Sequence, residues 1–252
     1  MSHQEEKSIG IPEEKLINSR KRVRKHGEVF TPRRIVRKML DMPAINEASQ
    51  ALTTTFLEPG VGEGVFLVEI LNRKLHMVER QYGESLVQYE NYSLLALSTL
   101  YGIELLEDNV KVCAMNLYQA FYDAYYRQLT KFDRKRKPSV VDSARLIIAK
   151  NIVQGDFLKK TSADGYPVVF SEWKATNLER EPRTIMVQRT EYTLPEIEAG
   201  IINIDGSVSN PKLKTGQLPL PFLHEDCHQP EMRYLPAKIT LVYREEQEQI
   251  DG

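Results

Sequence analysis

Residues 57–67, with the sequence LEPGVGEGVFL, constrain the fold more than any other part of this 252-residue chain. The run TTTFL at 53–57 is β-branched and aromatic, which predicts a short buried strand. The apolar run at 65–71 predicts a buried helix. Between them, Gly60, Gly62 and Gly64 let the backbone take positive φ and approach a ligand closely. The pattern therefore predicts a ligand site at the start of that helix.

Strand and helix patterns continue to alternate along the chain. A helix is expected to start near Thr31 and Pro32, because threonine can cap a helix and proline fits its first turn. The alternation over 53–171 favours an α/β fold with a doubly wound, mostly parallel sheet. The other predicted elements are helices at 74–99 and 105–129, and strands at 101–104, at 151–153 with 145–149 leading into it, and at 166–171.

Polarity, strand and helix patterns and proline content divide the chain into three parts. Residues 1–25 are polar, and residues 26–175 carry the strand and helix alternation. Residues 176–252 hold more than half of the 13 prolines, with short strand patterns at 184–189 and 238–244. We expect a polar N-terminal segment, a ligand-binding domain, and a proline-rich C-terminal region with irregular β structure.

Two acidic residues follow predicted strands. Glu104 ends the strand at 101–104 and is placed to accept hydrogen bonds from two ribose hydroxyls, although a surface acid after a strand is the plainer alternative. Asp156 follows the strand at 151–153 and can accept from an exocyclic amino group, and Phe157 can stack on a purine. The alternative there is an ordinary Gly-Asp turn.

Composition and charge narrow the class of protein. Apolar residues make up 41% and charged residues 27%, and the apolar runs are too short for a membrane span. Two cysteines far apart do not predict a disulfide framework, so a cytoplasmic location is expected. The net charge is −1, yet nine Lys and Arg lie between Arg20 and Lys38. Such a cluster either contacts nucleic-acid phosphates or forms a solvated surface.

Four motifs in this order resemble the gamma-type and related adenine-N6 DNA methyltransferases, including the modification subunits of type I restriction systems. They are GEVFTP at 27–32, LEPGVGEGVFL at 57–67, GIELLEDNV at 102–110 and GDF at 155–157. The resemblance covers about residues 25–175. It implies a Rossmann-like methyltransferase domain that binds S-adenosyl-L-methionine. The cofactor-binding residues it implies are Gly27, Phe30, Thr31, Pro32, Glu58, Gly60, Gly62, Glu104, Asp156 and Phe157.

The chain departs from that family where the target base should bind. The family has Asn-Pro-Pro-Tyr or Asp-Pro-Pro-Tyr after its fourth strand, and this sequence contains neither. The predicted strand at 166–171 runs instead into Ser171, Glu172 and Trp173, which become the candidate catalytic residues. Trp173 can stack on an extruded base, and Glu172 can accept from its amino group. The alternative is a core tryptophan beside a solvated glutamate.

Three alternative functions follow from this resemblance and this departure. The first is an active adenine-N6 DNA methyltransferase of a restriction-modification or related system. The second is a catalytically inactive, methyltransferase-like subunit that binds the cofactor or acts as a scaffold; RNA or protein as acceptor is a third alternative. DNA is the expected ligand partner, and a protein partner is expected to supply target recognition, because the chain lacks a separate recognition domain. The cluster at 224–228 lacks a second Cys/His group and does not predict a metal site.

Overall fold

The structure, a computed structural model, describes residues 19–26, 28–209 and 231–250. Among these residues, two 3-10 helices lie at Leu178–Arg180 and Ile239–Arg244. The α-helices are α1 Arg20–His26, α2 Arg33–Leu40, α3 Pro43–Gln50, α4 Val65–Tyr82, α5 Leu86–Ser98, α6 Glu107–Lys131, α7 Pro138–Asn151 and α8 Leu194–Glu198. The strands are β1 Phe56–Pro59, β2 Leu100–Glu104, β3 Ile152–Gln154, β4 Val169–Ala175, β5 Met186–Thr193, β6 Glu231–Tyr234, β7 Ala237–Lys238 and β8 Gln247–Ile250.

A three-stranded parallel sheet lies at the centre of the described fold, in the order β1-β2-β3. Leu57 pairs with Tyr101 across β1 and β2, and Ile103 pairs with Val153 across β2 and β3. Helices α4 to α7 bury one continuous apolar core that includes Leu100 of β2. The predicted mixed α/β class with parallel strands is therefore confirmed. Apolar strands that helices cover are usual in parallel sheets.

The predicted fourth strand does not join the parallel sheet. Strand β4 begins at Val169, three residues after the predicted start, and pairs antiparallel with β5. Val168 and Phe170 pack with Ile103 in a small apolar cluster, and the Phe170 ring meets the Tyr101 ring edge-on at 5.5 Å. These apolar contacts with β2 side chains hold the start of β4 over the face of the parallel sheet. Strand β4 is therefore not a fourth strand of that sheet.

Two sequence predictions that fall on the helices also need correction. Residues 145–149, expected to lead into a strand, belong to α7, because Ala144, Ile147 and Ile148 recur at helical spacing on its buried side. The single helix expected at 74–99 is broken into α4 and α5. At the break, the Gly83 amide still bonds to the Glu79 carbonyl, and Ser85 caps the new helix.

The C-terminal part shares its core with the rest of the chain. Strand β5 pairs with β4 across the predicted boundary at 175, and Ile185 and Ile239 lie in the same apolar core as the helices. The strand expected at 238–244 is mostly the 3-10 helix Ile239–Arg244, which packs on α7. Within the described ranges, no helix combines the length and apolarity that a membrane crossing requires.

Candidate functional site

The glycine loop, residues 60–64, forms the floor of the candidate site. Its first amides extend the pairing of β1 with β2, since the N–H groups of Gly60 and Val61 both donate to the Ile103 carbonyl, at 2.8 and 3.0 Å. Gly60, Gly62 and Gly64 all have positive φ, at +94°, +54° and +84°. A Cβ on Gly64 would lie 2.6 Å from Cys113 Sγ, so this glycine allows α4 and α6 to approach each other closely.

Glu104 ties the glycine loop to the end of β2. Its buried carboxylate accepts a hydrogen bond from the Gly62 amide at 2.8 Å and another from the Leu106 amide at 3.0 Å. A carboxylate offers about four lone-pair sites, so two remain for a ligand. Glu104 is thus both a structural brace of the loop and a hydrogen-bond acceptor at the site.

Glu58 carries an unsatisfied acidic group beside Glu104. Its Oε2 atom is buried and has no hydrogen-bond partner among the described residues. Burial, and then repulsion from the Glu104 carboxylate, raise the pKa of Glu58 to about 8. A buried carboxyl group without a partner is costly, and a cationic group nearby would compensate for that cost.

The segment before α2 closes the site from the other side. The Phe30 ring packs on the glycine loop, where a Cβ on Gly62 would meet its Cε1 atom at 3.4 Å. Glu28 accepts hydrogen bonds from Asn109 Nδ2 at 2.8 Å and from the Arg22 guanidinium, which also pairs with Asp108. This charged network fastens the segment to the start of α6.

Together these parts enclose a cavity of about 280 Å³. That volume is just below the range of roughly 300–1,000 Å³ typical of small-molecule sites. Asn109 and Glu28 were missed as individual candidates, although both belong to the quoted motifs. The lining residues are Glu28, Val29, Phe30, Gly60, Gly62, Glu104, Leu105, Leu106 and Asn109.

The remaining cofactor candidates lie around this cavity without lining it. Pro32 is the N-cap of α2, and its carbonyl accepts from the Ile35 and Val36 amides. Thr31 precedes it, and the expectation that Thr31 caps the helix is wrong, because no side chain makes a capping hydrogen bond there. Glu58 lies under the loop, next to Glu104. Gly27 lies outside the described residues, as does the cluster at 224–228.

Asp156 and Phe157 are engaged elsewhere. Asp156 Oδ1 accepts from the amides of Leu158 and Lys159, at 3.0 and 3.1 Å. Hydrogen bonds donated by Lys159, first from its backbone amide and then from its side chain, lower the pKa of Asp156. Phe157 packs against the apolar cluster on the face of β2. The turn still lies next to Glu104, because the Gly155 amide donates to the Glu104 carbonyl at 3.0 Å.

The structure separates the three candidate catalytic residues from the cavity, and it places Glu172 on the opposite side of β4 from Ser171 and Trp173, which both contact Arg189. Ser171 is buried, and its Oγ accepts from Arg189 Nε at 2.9 Å. Trp173 is 5% exposed, and its Nε1 donates to Asn151 Oδ1 at 3.0 Å. Glu172 is exposed and lines a different groove with Tyr192. A base could stack on Trp173 only after the core had opened.

Comparison of the chain with protein-family models, with curated proteins and with solved structures finds no match in any of the three. Within the part of the chain that the structure describes, no three His, Cys, Asp or Glu side chains are grouped so that they could hold a metal ion. The function of the chain must therefore be inferred from the cavity and from the residues around it.

Proposed function

We propose that this chain is the S-adenosyl-L-methionine-binding component of an adenine-N6 DNA methyltransferase of a restriction-modification or related system, acting in the cytoplasm. The three parallel strands would then be one half of a doubly wound, Rossmann-like sheet. One observation carries the proposal. Three motifs separated by dozens of residues, around Phe30, Gly62 and Glu104, meet at one cavity beside a second, unsatisfied acid, Glu58.

The donor set suits this cofactor. Glu104 has the lone pairs to accept from ribose hydroxyls, and the glycine loop exposes backbone to a ligand. Glu58 does not line the cavity and is protonated at neutral pH, because its pKa is raised to about 8; a cationic ligand nearby, such as one that carries an ammonium and a sulfonium group, would lower that pKa and favour its ionised form. Phe30 would cover the bound molecule from the α2 side. The cofactor itself supplies the electrophilic methyl group.

A basic surface next to the cavity supports DNA as the partner. Helix α1 precedes the segment that contains Phe30, and helix α2 follows it. The exposed basic residues of these two helices are Arg20, Lys21, Arg24, Lys25, Arg33, Arg34, Arg37 and Lys38. Several phosphate contacts of this kind give an affinity that falls steeply with salt concentration. The chain as a whole is nearly neutral, so a local stripe of charge would steer DNA to the cavity.

The burial of Ser171 and Trp173 favours the second candidate function, a subunit that binds the cofactor but does not transfer methyl groups alone. Adenine N6 is a poor nucleophile, so its positioning supplies much of the rate. The described residues near the cavity include no rigid Asn-Pro or Asp-Pro loop that would hold a base. Transfer by the isolated chain would therefore be slow or absent.

Calorimetry with S-adenosyl-L-methionine tests the proposal. We expect binding by the wild-type chain, and a loss of affinity of about tenfold or more for Glu104→Ala and for Phe30→Ala. Phe30→Ala leaves the Glu104 hydrogen bonds in place, so it separates pocket loss from loop disorder. Glu63→Ala is the matched control, because Glu63 belongs to the same loop but does not line this cavity. Absence of wild-type binding would refute the proposal.

Transfer of a tritiated methyl group to DNA, on the same preparations, separates the two candidate functions. Transfer by the chain alone would establish an active enzyme. Residues 171–173 would then have to leave their buried positions during the reaction. Cofactor binding without transfer to DNA or RNA would support the non-catalytic component.

A further inference from the structure

Three tyrosines form a ladder along the exposed side of α6. Tyr118, Tyr122 and Tyr126 recur every four residues, so each ring lies beside the next. The ring centroids are 5.9 and 6.4 Å apart, and the ring planes of the two pairs differ by only 25° and 23°. Tyr118 and Tyr122 pack partly against the apolar core, but Tyr126 is 59% exposed. The ladder therefore ends in an aromatic ring at the surface.

The ladder is closed at one end and open at the other. The Arg145 guanidinium of α7 lies 5.1 Å from the centroid of the Tyr118 ring, which is within the range of a cation–π contact. Tyr126 is the last ring, and among the described residues only Tyr122 stacks on it. One face of the Tyr126 ring is thus turned toward Tyr122, and the opposite face is available for another planar group.

The loop between α6 and α7, residues 132–137, carries positive charge at the open end of the ladder. Arg134, Lys135 and Arg136 are exposed, and within the described ranges none of them forms an ion pair. Asp133 is the only acidic residue in the loop. The loop begins six residues after Tyr126, which is about 9 Å along the helix at 1.5 Å per residue. The exposed ring and the three cations therefore lie at the same end of α6.

The loop is anchored at both of its ends. Before it, Lys131 Nζ donates to the Gly83 carbonyl at 2.8 Å. At its end, Lys137 Nζ pairs with the buried Glu90 carboxylate at 2.6 Å, and the Lys137 amide donates to the Tyr125 hydroxyl at 3.2 Å. These contacts engage Lys131 and Lys137 with the protein, so the three cations between them remain for a ligand. An anchored loop also loses little conformational freedom when it binds.

We propose that this end of α6 binds a single-stranded nucleic acid, with one base stacked on Tyr126 and adjacent phosphates bound by the three cations of the loop. Aromatic side chains beside a basic surface are the usual means of binding single strands without sequence preference. The surface is distinct from the basic stripe of α1 and α2, because Arg22 of α1 pairs with Asp108 at the opposite end of α6, about 35 Å away. The proposal requires neither the cavity nor the cofactor.

The charge and the open ring face together select this class of ligand. A second copy of the chain, paired through the same surface, would bring like charges together. A carboxylate-rich protein segment could satisfy the cations, but its carboxylates gain nothing from an open ring face. In duplex DNA each base is stacked between its neighbours, so phosphates could bind but no base could stack on Tyr126. A single strand supplies phosphates and unstacked bases at once.

Fluorescence anisotropy with the whole chain and a labelled oligothymidylate of about twelve nucleotides tests the proposal. Tyr126→Leu should lower the affinity about tenfold, and Tyr126→Phe, which keeps the ring, should bind as the wild type does. Tyr126 is exposed, so neither variant should unfold the chain.

The matched ligand is an abasic strand of the same length, which keeps the phosphates and lacks the bases. Tyr126→Leu should bind this strand as tightly as the wild type does, because no base is present to stack. Absence of wild-type binding to the intact strand, an unchanged affinity of Tyr126→Leu for it, or an equal loss for both strands would each overturn the proposal.

The charge of the loop provides a second test. Alanine at all three loop cations should reduce the slope of log affinity against log salt concentration by about two, because three phosphate contacts are lost. An unchanged slope would contradict the proposal. The matched control makes three such changes on α1, at Arg20, Lys21 and Arg24. In that background Tyr126→Leu should still lower the affinity about tenfold, and loss of its effect would show one shared site and overturn the proposal.

Cofactor binding by each variant is measured in parallel and should be unchanged, since none of the altered residues lines the cavity. Strand binding that depends on Tyr126, without cofactor binding, would refute only the proposed function. Cofactor binding without strand binding would refute only the single-strand surface.

Discussion

The glycine loop at 60–64 and the residues 171–173 each follow a predicted strand and each carry groups that suit a nucleotide ligand. In the first region, the structure brings the motif partners together, because Glu104 bonds to Gly62 and Phe30 packs on the same glycine. In the second region, Ser171 and Trp173 bond to Arg189 and Asn151 in the interior. Similar sequence signals thus lead to a cavity in one case and to a core in the other.

The difference comes from what each pattern demands of the backbone. Three glycines with positive φ impose a specific turn, and a turn between β1 and α4 necessarily lies at the end of the parallel sheet. Nothing comparable fixes residues 171–173. An isolated tryptophan gains more from burial than from exposure, so packing decides its place.

Removal of the Trp173 side chain should have the largest effect. Trp173→Ala leaves a cavity in the core and deprives Asn151 of its indole donor, so we expect a loss of about 4 kcal/mol in the free energy of unfolding. Trp173→Phe keeps most of the volume and should cost about half as much. Urea denaturation measures both values. A normally stable Trp173→Ala protein that no longer binds DNA would instead restore the base-stacking role.

Within the glycine loop, Gly64→Ala should be the most damaging of the alanine substitutions. The new Cβ clashes with Cys113 Sγ, and φ is +84°, so we expect a loss of about 3 kcal/mol. The double variant with Cys113→Ala should recover about half, since only the clash is removed. Gly60→Ala has the same sign of φ but nothing within 4 Å of its new Cβ, and should cost about 1 kcal/mol. Equal losses at Gly60 and Gly64 would disprove the close contact.

Glu58 provides the pH test of the pocket region. Its pKa is raised to about 8 in the folded chain, so the folded state holds a proton that the unfolded state releases above its ordinary pKa of 4.5. Wild-type stability contributed by this group is therefore lost as pH rises from about 4.5 to 8. The pKa shift sets an upper limit of about 5 kcal/mol on this difference. Because the Glu58 side chain is only partly buried, we expect Glu58→Gln to be more stable than wild type by about 2 kcal/mol at pH 9, and equal to it at pH 4. Thermal unfolding across this range checks the window; a pH-independent difference would contradict it.

Sequence patterns predicted the local backbone geometry well, but they did not predict which strands pair with each other. The turn after β1 and the helix start at Pro32 follow from glycine and proline chemistry, which acts within a few residues. The course of β4 could not be predicted, because an apolar strand fits equally well at a sheet edge or over a sheet face. Phe170 meets Tyr101 only in the folded chain, at a separation of 69 residues in sequence. Asp156 likewise follows β3 in the chain, but its carboxylate accepts from the amides of Leu158 and Lys159 in its own loop.

The smallest effect should come from Glu172, the one exposed member of the 171–173 segment. Its carboxylate lies near Tyr192, and burial and then this carboxylate raise the pKa of Tyr192. Glu172→Gln removes the charge at the surface of a groove that is separate from the cavity, so the free energy of unfolding should stay within about 0.5 kcal/mol of wild type. Affinity for S-adenosyl-L-methionine, measured by calorimetry, should also be unchanged. A variant that keeps the fold but loses the cofactor would place Glu172 in the pocket region, and the contrast between the two regions would no longer hold.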